Sequence, residues 1–139
     1  MEYRRRPTGF SMNKKTVFQK DFNIAWGDMD ALGHVNNARY FDYFQQARIE
    51  WLANIGFGLR EKTGPVVINV NCTYLKPVIY PAKLTLKCSI ATPGNSSFWM
   101  HYDLYQNDVL MTESNCKIVW IDYKKNKSIP LPPEILELF

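Results

Sequence analysis

The sequence predicts an α+β domain, and three observations carry that reading. A single stretch after Asn37 repeats apolar residues at helical spacing. From Gly64-Pro65 onward the spacing changes to the period of two that a half-buried strand requires. Clusters of Gly, Pro, Asn and Asp divide that second region into pieces of hairpin length. One amphipathic helix against a largely antiparallel sheet is the layer architecture such a pattern builds.

The first element is a strand over residues 16–26, where Val17, Phe18, Phe22 and Ile24 alternate imperfectly. Residues 27–34 carry two glycines and no helical period, which predicts a loop. Asn36 and Asn37 are candidate caps, because a short amide side chain accepts an orphan backbone N–H at a helix start. Tyr40, Phe44, Ala47, Trp51 and Ile55 follow at helical spacing, with Phe41 and Leu52 widening the stripe. Gly56 and Gly58 are stop signals, so the helix runs for about 18 residues, or roughly 27 Å.

Val66, Val67, Ile68 and Val70 form a nearly continuous β-branched run, as in a strand buried on both faces. Pro77 and Pro81 bracket a turn. Ala82, Leu84, Leu86, Cys88 and Ile90 then alternate with polar residues, and Pro93-Gly94-Asn95 signals a hairpin. Phe98, Met100, Tyr102 and Leu104 mark the returning strand. Gln106-Asn107-Asp108 turns into a last strand carrying Ser114, Cys116, Ile118 and Trp120 on one side. Pro132-Pro133-Glu134 opens a short terminal helix. The long helix is thus followed by four strands in hairpin sequence. The organisation is one domain over residues 16–139 behind a flexible basic tail at residues 1–15.

Composition narrows the class. With 139 residues, 46% of them hydrophobic, the chain can bury a full core without staples. The net charge of +4 is modest, and part of it sits in Arg4, Arg5, Arg6, Lys14 and Lys15. No stacking aromatics or recognition motif accompany it, so no nucleic-acid partner is expected. Cys72, Cys88 and Cys116 are dispersed, with no C-x-x-C pair, which predicts free thiols and a cytoplasmic location. No apolar stretch reaches the length of a membrane span. Two histidines are too few for the usual zinc set, and neither a glycine-rich nucleotide loop nor a G-x-S-x-G elbow is present. No metal and no cofactor are expected.

The remaining chemistry lies in residues 28–40. Two carboxylates, Asp28 and Asp30, precede a helix N-terminus, where unpaired N–H groups carry partial positive charge. Such groups can hold an oxyanion, and a nearby carboxylate can attack a carbonyl or activate water. The same aspartates equally suit a turn or a cap.

The run Trp26-Gly27-Asp28-Met29-Asp30-Ala31-Leu32-Gly33-His34-Val35-Asn36-Asn37-Ala38-Arg39-Tyr40, followed by Ala47-Arg48, resembles the 4-hydroxybenzoyl-CoA thioesterases and related long-chain acyl-CoA thioesterases. Val67-Ile68-Asn69-Val70-Asn71-Cys72-Thr73-Tyr74-Leu75-Lys76-Pro77 is similar to the strand that follows the helix in that family. The resemblance covers roughly residues 16–123. It implies a hotdog fold, a long helix wrapped by a curved antiparallel sheet of about five strands. It also implies a homodimer or homotetramer that pairs its sheets and places active sites at the subunit interface. The substrate it implies is an acyl-CoA, with acyl carrier protein as the other thiol carrier.

By the same matching, Asp30 is the catalytic aspartate, the Asn37 N–H is the oxyanion donor, and His34 orients the thioester or the loop. Gly33, Asn36 and Tyr40 are the residues assigned to substrate binding, Tyr40 packing at the helix base. Asp28 is a structural acceptor, and Arg48 takes a structural ion pair. The chain departs from the pattern at Gln45-Gln46, where many relatives carry a glutamate, and Asp42 points away from the apolar stripe. Catalysis then rests on Asp30. The alternatives are a non-catalytic acyl-thioester-binding protein, or a dehydratase or hydratase with His34 as base. Phe41, Phe44, Phe57 and Trp99 either line an acyl slot or belong to the core.

Overall fold

A computed structural model describes residues 13–58 and 61–139, so Arg4, Arg5 and Arg6 of the basic tail lie outside the described residues. Lys14 and Lys15, assigned to that tail by the sequence, are ordered. Lys14 pairs with Asp103 at 2.8 Å, and β1 (Lys15–Asn23) begins one residue later. The elements that follow are α1 (Arg39–Asn54), β2 (Thr63–Tyr74), β3 (Lys83–Ala91), β4 (Ser97–Gln106), β5 (Val109–Asp122), β6 (Lys127–Ser128) and α2 (Pro133–Leu136). They build one antiparallel sheet in the order β1-β3-β4-β5-β2, with the two-residue β6 attached to β5.

The helix and the three central strands follow the sequence pattern. Tyr40, Phe44, Ala47, Trp51 and Leu52 of α1 are buried in one cluster with Leu84, Leu86, Ile90, Phe98, Met100, Leu104, Ile118 and Trp120 of the sheet. Strand alternation puts every second residue on the helix side, which is why β3, β4 and β5 lose those side chains to the core while their neighbours stay wetter. The helix stops where expected. Gly56 takes a left-handed φ of 100°, its N–H bonds Ala53, and the Phe57 N–H bonds Leu52, the reciprocal pair of a Schellman motif. The β4–β5 turn uses Asn107 and Asp108, both with positive φ, as a two-residue hairpin requires.

Two expectations are corrected at β2. The strand is not the first member of a hairpin series: it crosses the sheet and pairs with β5, leaving β3 to pair with β1. Residues 75–82 are therefore a crossover and not a tight turn. Leu75 and Lys76 donate to the Met111 carbonyl of β5 at one end, and Ile24 beyond β1 donates to Ala82 at the other. Nor is β2 buried on both faces. It is an edge strand, and Ile68 is 58% and Val70 49% exposed. The pairing register skips at Ile68, a bulge of the kind that bends an edge away from its ladder.

Candidate active site

The loop between β1 and α1 is a small hairpin built by its own sequence. Asn36 donates to the Asp28 carbonyl (2.9 Å), Met29 and Val35 form an antiparallel bridge, and Asp30 donates to the His34 carbonyl (2.9 Å). Between them, the Gly33 N–H closes a turn on the Asp30 carbonyl at 3.1 Å. Gly33 has φ +84°, so the three-residue tip is a turn followed by one left-handed residue, the position that favours glycine. The tip is anchored to the crossover, where Val35 donates to the Val78 carbonyl at 2.8 Å and is itself buried.

Asp30 opens this turn. Its Oδ1 accepts the Leu32 N–H at 2.9 Å, an Asx-turn contact, and its side chain is exposed. The second carboxylate oxygen has no hydrogen bond among the described residues. Asp28 does different work. Its Oδ2 accepts both the Ala25 N–H (3.0 Å) and the Tyr43 hydroxyl (2.8 Å), and Arg39 Nε lies 3.5 Å from Oδ1. Burial, then the bond to Asp28, pushes the Tyr43 phenol far above its usual range, so it remains a donor. The expected structural role for Asp28 is thus filled, and its partner on the helix is Tyr43.

The helix start is pinned around Asn37. Asn36 Oδ1 accepts the Ala38 N–H at 3.0 Å, and the Asn36 carbonyl accepts the Arg39 N–H at 2.8 Å. From β2, the Tyr74 hydroxyl donates to the Asn37 carbonyl at 2.7 Å. The Asn37 N–H itself has no hydrogen-bond partner among the described residues. His34 is exposed. Tyr40 is 2% exposed, its ring edge-on to Tyr74 at 5.0 Å, so it is a core residue under the helix start.

Arg48 does not form the expected ion pair with a carboxylate. Its Nη1 donates to the Tyr102 hydroxyl at 2.9 Å, and Tyr102 in turn lies 3.6 Å from the Cys116 sulfur. The residue separation of 54 hides this contact from local spacing. Beside Arg48 the structure opens a cavity of about 420 Å³ between α1 and the start of β2. Ile49, Leu52, Phe57, Pro65 and Val67 give it apolar walls, with the exposed Gln45 and Glu61 also on its lining. Of the aromatic residues that the sequence leaves between slot and core, Phe57 lines this cavity and Phe44 stacks on Tyr102 in the core. Phe41 is 37% exposed on the helix surface, and Trp99 is half-buried on β4. Among the described residues, no cluster of three or more His, Cys, Asp or Glu suits a metal ion, and no helix is long and apolar enough to cross a membrane.

A single long helix held against a six-stranded antiparallel sheet, with an aspartate-bearing hairpin at the helix start, defines a hotdog-type α+β domain. The chain belongs to the thioesterase-like superfamily, whose model matches residues 24–139, and it is a thioester hydrolase by family. The long-chain acyl-CoA thioesterase FadM of Escherichia coli (strain K12) is 26% identical over 124 residues, 86% of this chain and 94% of FadM. The PA2801 protein of Pseudomonas aeruginosa superposes with a TM-score of 0.85 at 35% identity, covering 88% of this chain and 98% of that one. The DHNA-CoA thioesterase of Staphylococcus aureus shares the fold at a TM-score of 0.77 and 20% identity, covering 86% of each chain.

Proposed function

We propose that this protein hydrolyses acyl-CoA thioesters, with Asp30 as nucleophile or general base and the Asn37 N–H as oxyanion donor. The observation that carries the reading is the unpaired Asn37 N–H at a helix start where the Asn36, Ala38 and Arg39 N–H groups and the Asn37 carbonyl are engaged. A donor fixed in place before the reaction stabilises developing negative charge without reorganisation. Asp30 supports the other half: one oxygen is fixed by Leu32, leaving the second to act. In the base-catalysed form, water adds to the thioester carbonyl as its proton passes to Asp30. The oxyanion rests on Asn37, and collapse expels the CoA thiolate, which takes up the proton. His34 is exposed beside the turn and orients the thioester. Gly33 and Asn36 shape the substrate-binding rim, and Tyr40 acts from below by supporting the helix start. Acyl carrier protein is the alternative thiol carrier.

The test is Asp30→Asn. An asparagine keeps the acceptor for Leu32, so the hairpin and the melting temperature should hold. Thiol release from acyl-CoA should fall at least about 100-fold, the scale of general-base catalysis. Full activity in the variant would remove Asp30 from the mechanism. Tight acyl-CoA binding without turnover in the wild type would favour the non-catalytic reading, which Gln45 and Gln46 keep open.

The same reading includes a homodimer or homotetramer that pairs sheet edges. It is supported by the exposed apolar Ile68 and Val70 on the edge strand β2. Light scattering should give at least twice the chain mass of 16.3 kDa, and a monomer at working concentration would overturn it.

A further inference from the structure

A hydrogen-bond donor serves an oxyanion only if it points at it, and the contacts around Asn37 show what sets that direction. Two peptide planes meet at the Asn37 Cα. In the first, the Asn36 carbonyl accepts the Arg39 N–H at 2.8 Å, and the Asn37 N–H is the group left over. In the second, the Ala38 N–H donates to Asn36 Oδ1 at 3.0 Å, and the Asn37 carbonyl accepts the Tyr74 hydroxyl at 2.7 Å. Ala38 is the N-cap, so the Asn37 carbonyl stands outside the helical ladder and takes a side-chain donor instead.

The bonds from Arg39 and Ala38 stay within the turn and would move with it. The bond from Tyr74 would not, because its donor is 37 residues away. Tyr74 is the last residue of β2, in register with Thr112 of β5, and Leu75 and Lys76 beyond it both donate to the Met111 carbonyl. Its ring lies edge-on to the buried Tyr40 at 5.0 Å. The phenol is therefore mounted on the sheet, and it fixes one end of the second plane to a frame outside the loop. Burial pushes that phenol far above its usual range, so it remains a neutral donor.

We infer that Tyr74 is a positioning residue for thioester hydrolysis: by holding the Asn37 carbonyl, it aims the Asn37 N–H at the oxygen where charge develops. This rests on the thioesterase reading for the place of the reacting carbonyl. The charge is small in bound substrate and large in the transition state, so loss of aim lowers kcat and leaves KM nearly unchanged. A tilted donor costs less than a deleted one, so the expected fall is about 10- to 50-fold, short of the roughly 100-fold or more for a removed oxyanion donor.

The experiment compares wild type, Tyr74→Phe and Tyr123→Phe on whichever of butyryl-, octanoyl-, palmitoyl- and benzoyl-CoA the wild type hydrolyses fastest. Tyr74→Phe removes one oxygen and keeps the ring against Tyr40. Tyr123→Phe is the control, since it removes a bond of the same kind, from a phenol to the Pro65 carbonyl (2.9 Å) near the other end of β2. The fall in kcat should appear in Tyr74→Phe and not in Tyr123→Phe, with similar small losses of Tm. Circular dichroism checks the fold. Should Tyr74→Phe not fold, tetrafluorotyrosine in place of Tyr74 keeps the shape but ionises at lower pH, after which it cannot donate. The titratable groups acting on it are Cys72 of β2 and Tyr40 of α1, both pushed up by burial. Its kcat should then fall with rising pH where the wild type stays flat, and two flat profiles overturn the inference. An unchanged kcat in Tyr74→Phe, a loss carried by KM alone, or an equal fall in Tyr123→Phe overturns it while the thioesterase reading stands. If the wild type hydrolyses no acyl-CoA, that reading fails and the inference falls with it.

Discussion

The two flanks of α1 are closed by different chemistry. Toward β1, the helix is tied down by charge: Lys20 bonds Glu50 at 2.9 Å, Gln46 joins the same carboxylate, Arg39 meets Asp42 at 3.0 Å, and Tyr43 holds Asp28. Toward β2, Arg48 donates to the Tyr102 hydroxyl, and beside it lies an open cavity whose lining is mainly apolar but includes Gln45 and Glu61. A flank laced with charged pairs resists an apolar ligand and fixes the loop. A flank with mainly apolar walls and unfilled space is more open to one. The difference teaches why the helix start can be rigid on one side and accessible on the other.

The largest expected effect comes from breaking the charged flank at Asp28. Asp28→Ala leaves the Tyr43 hydroxyl and the Ala25 N–H without their acceptor. Removing one partner of such a network costs about 3 kcal/mol, or roughly 10 °C in Tm for a domain of this size. Hydrogen exchange at Asp30 and Asn36 should rise with it, since both amides belong to the hairpin that Asp28 starts. An unchanged Tm together with unchanged exchange would mean that the loop is held by the Val35–Val78 anchor instead.

Much of this frame was legible in the sequence. Helical spacing identified the buried face of α1 because one stripe meets one sheet, and alternation identified β3, β4 and β5 for the same reason. The hairpin at Asn107-Asp108 was legible because few residues accept two consecutive left-handed conformations. Partner choice was not. Alternation states which face of a strand is buried and says nothing of its neighbour, so the pairing of β2 with β5 escaped, and with it the exposure of Ile68 and Val70. At the site, the motif marked Asp30, Gly33, Asn36 and Asn37, and local geometry explains how the hairpin holds them. Tyr43 and Tyr74, which pin that motif, stand outside it. Their hydroxyls reach residues 15 and 37 positions away, contacts that no spacing rule encodes. A tyrosine one turn into the helix, facing the loop, was the available signal for the first.

The second effect comes from the thiols beneath and beside the helix, Cys88 on β3 and Cys72 on β2. Burial pushes the Cys72 thiol up to about 11 and the Cys88 thiol up to about 12, from an ordinary 9.0. Both folded values are raised, so above pH 9 the unfolded chain gives up protons that the folded chain keeps. Stability is therefore full below pH 9 and falls as pH rises toward 11. Cys88 alone should cost about 3 kcal/mol by pH 11. Urea midpoints at pH 8 and pH 10.5 measure the loss, and Cys88→Ala should shrink it. A variant that loses as much as the wild type would assign the alkaline sensitivity to the tyrosines.

The charged flank should answer acid instead, and weakly. The bond from Lys20, helped by Gln46, lowers the Glu50 carboxyl below its ordinary 4.5. A depressed folded value means the contribution is present above pH 4.5 and is lost as pH falls through the folded value. Glu50 is 36% exposed, so solvent screens the pair and a few tenths of a kcal/mol is the expected scale. Denaturation of wild type and Glu50→Gln at pH 7 and pH 3.5 separates it: the variant should start slightly weaker and converge with the wild type in acid. A gap that persists at pH 3.5 would show that Glu50 acts through packing on Lys20 rather than through its charge. The β1 flank would then owe its closure mainly to the Asp28–Tyr43 bond, which carries no dependence on Lys20.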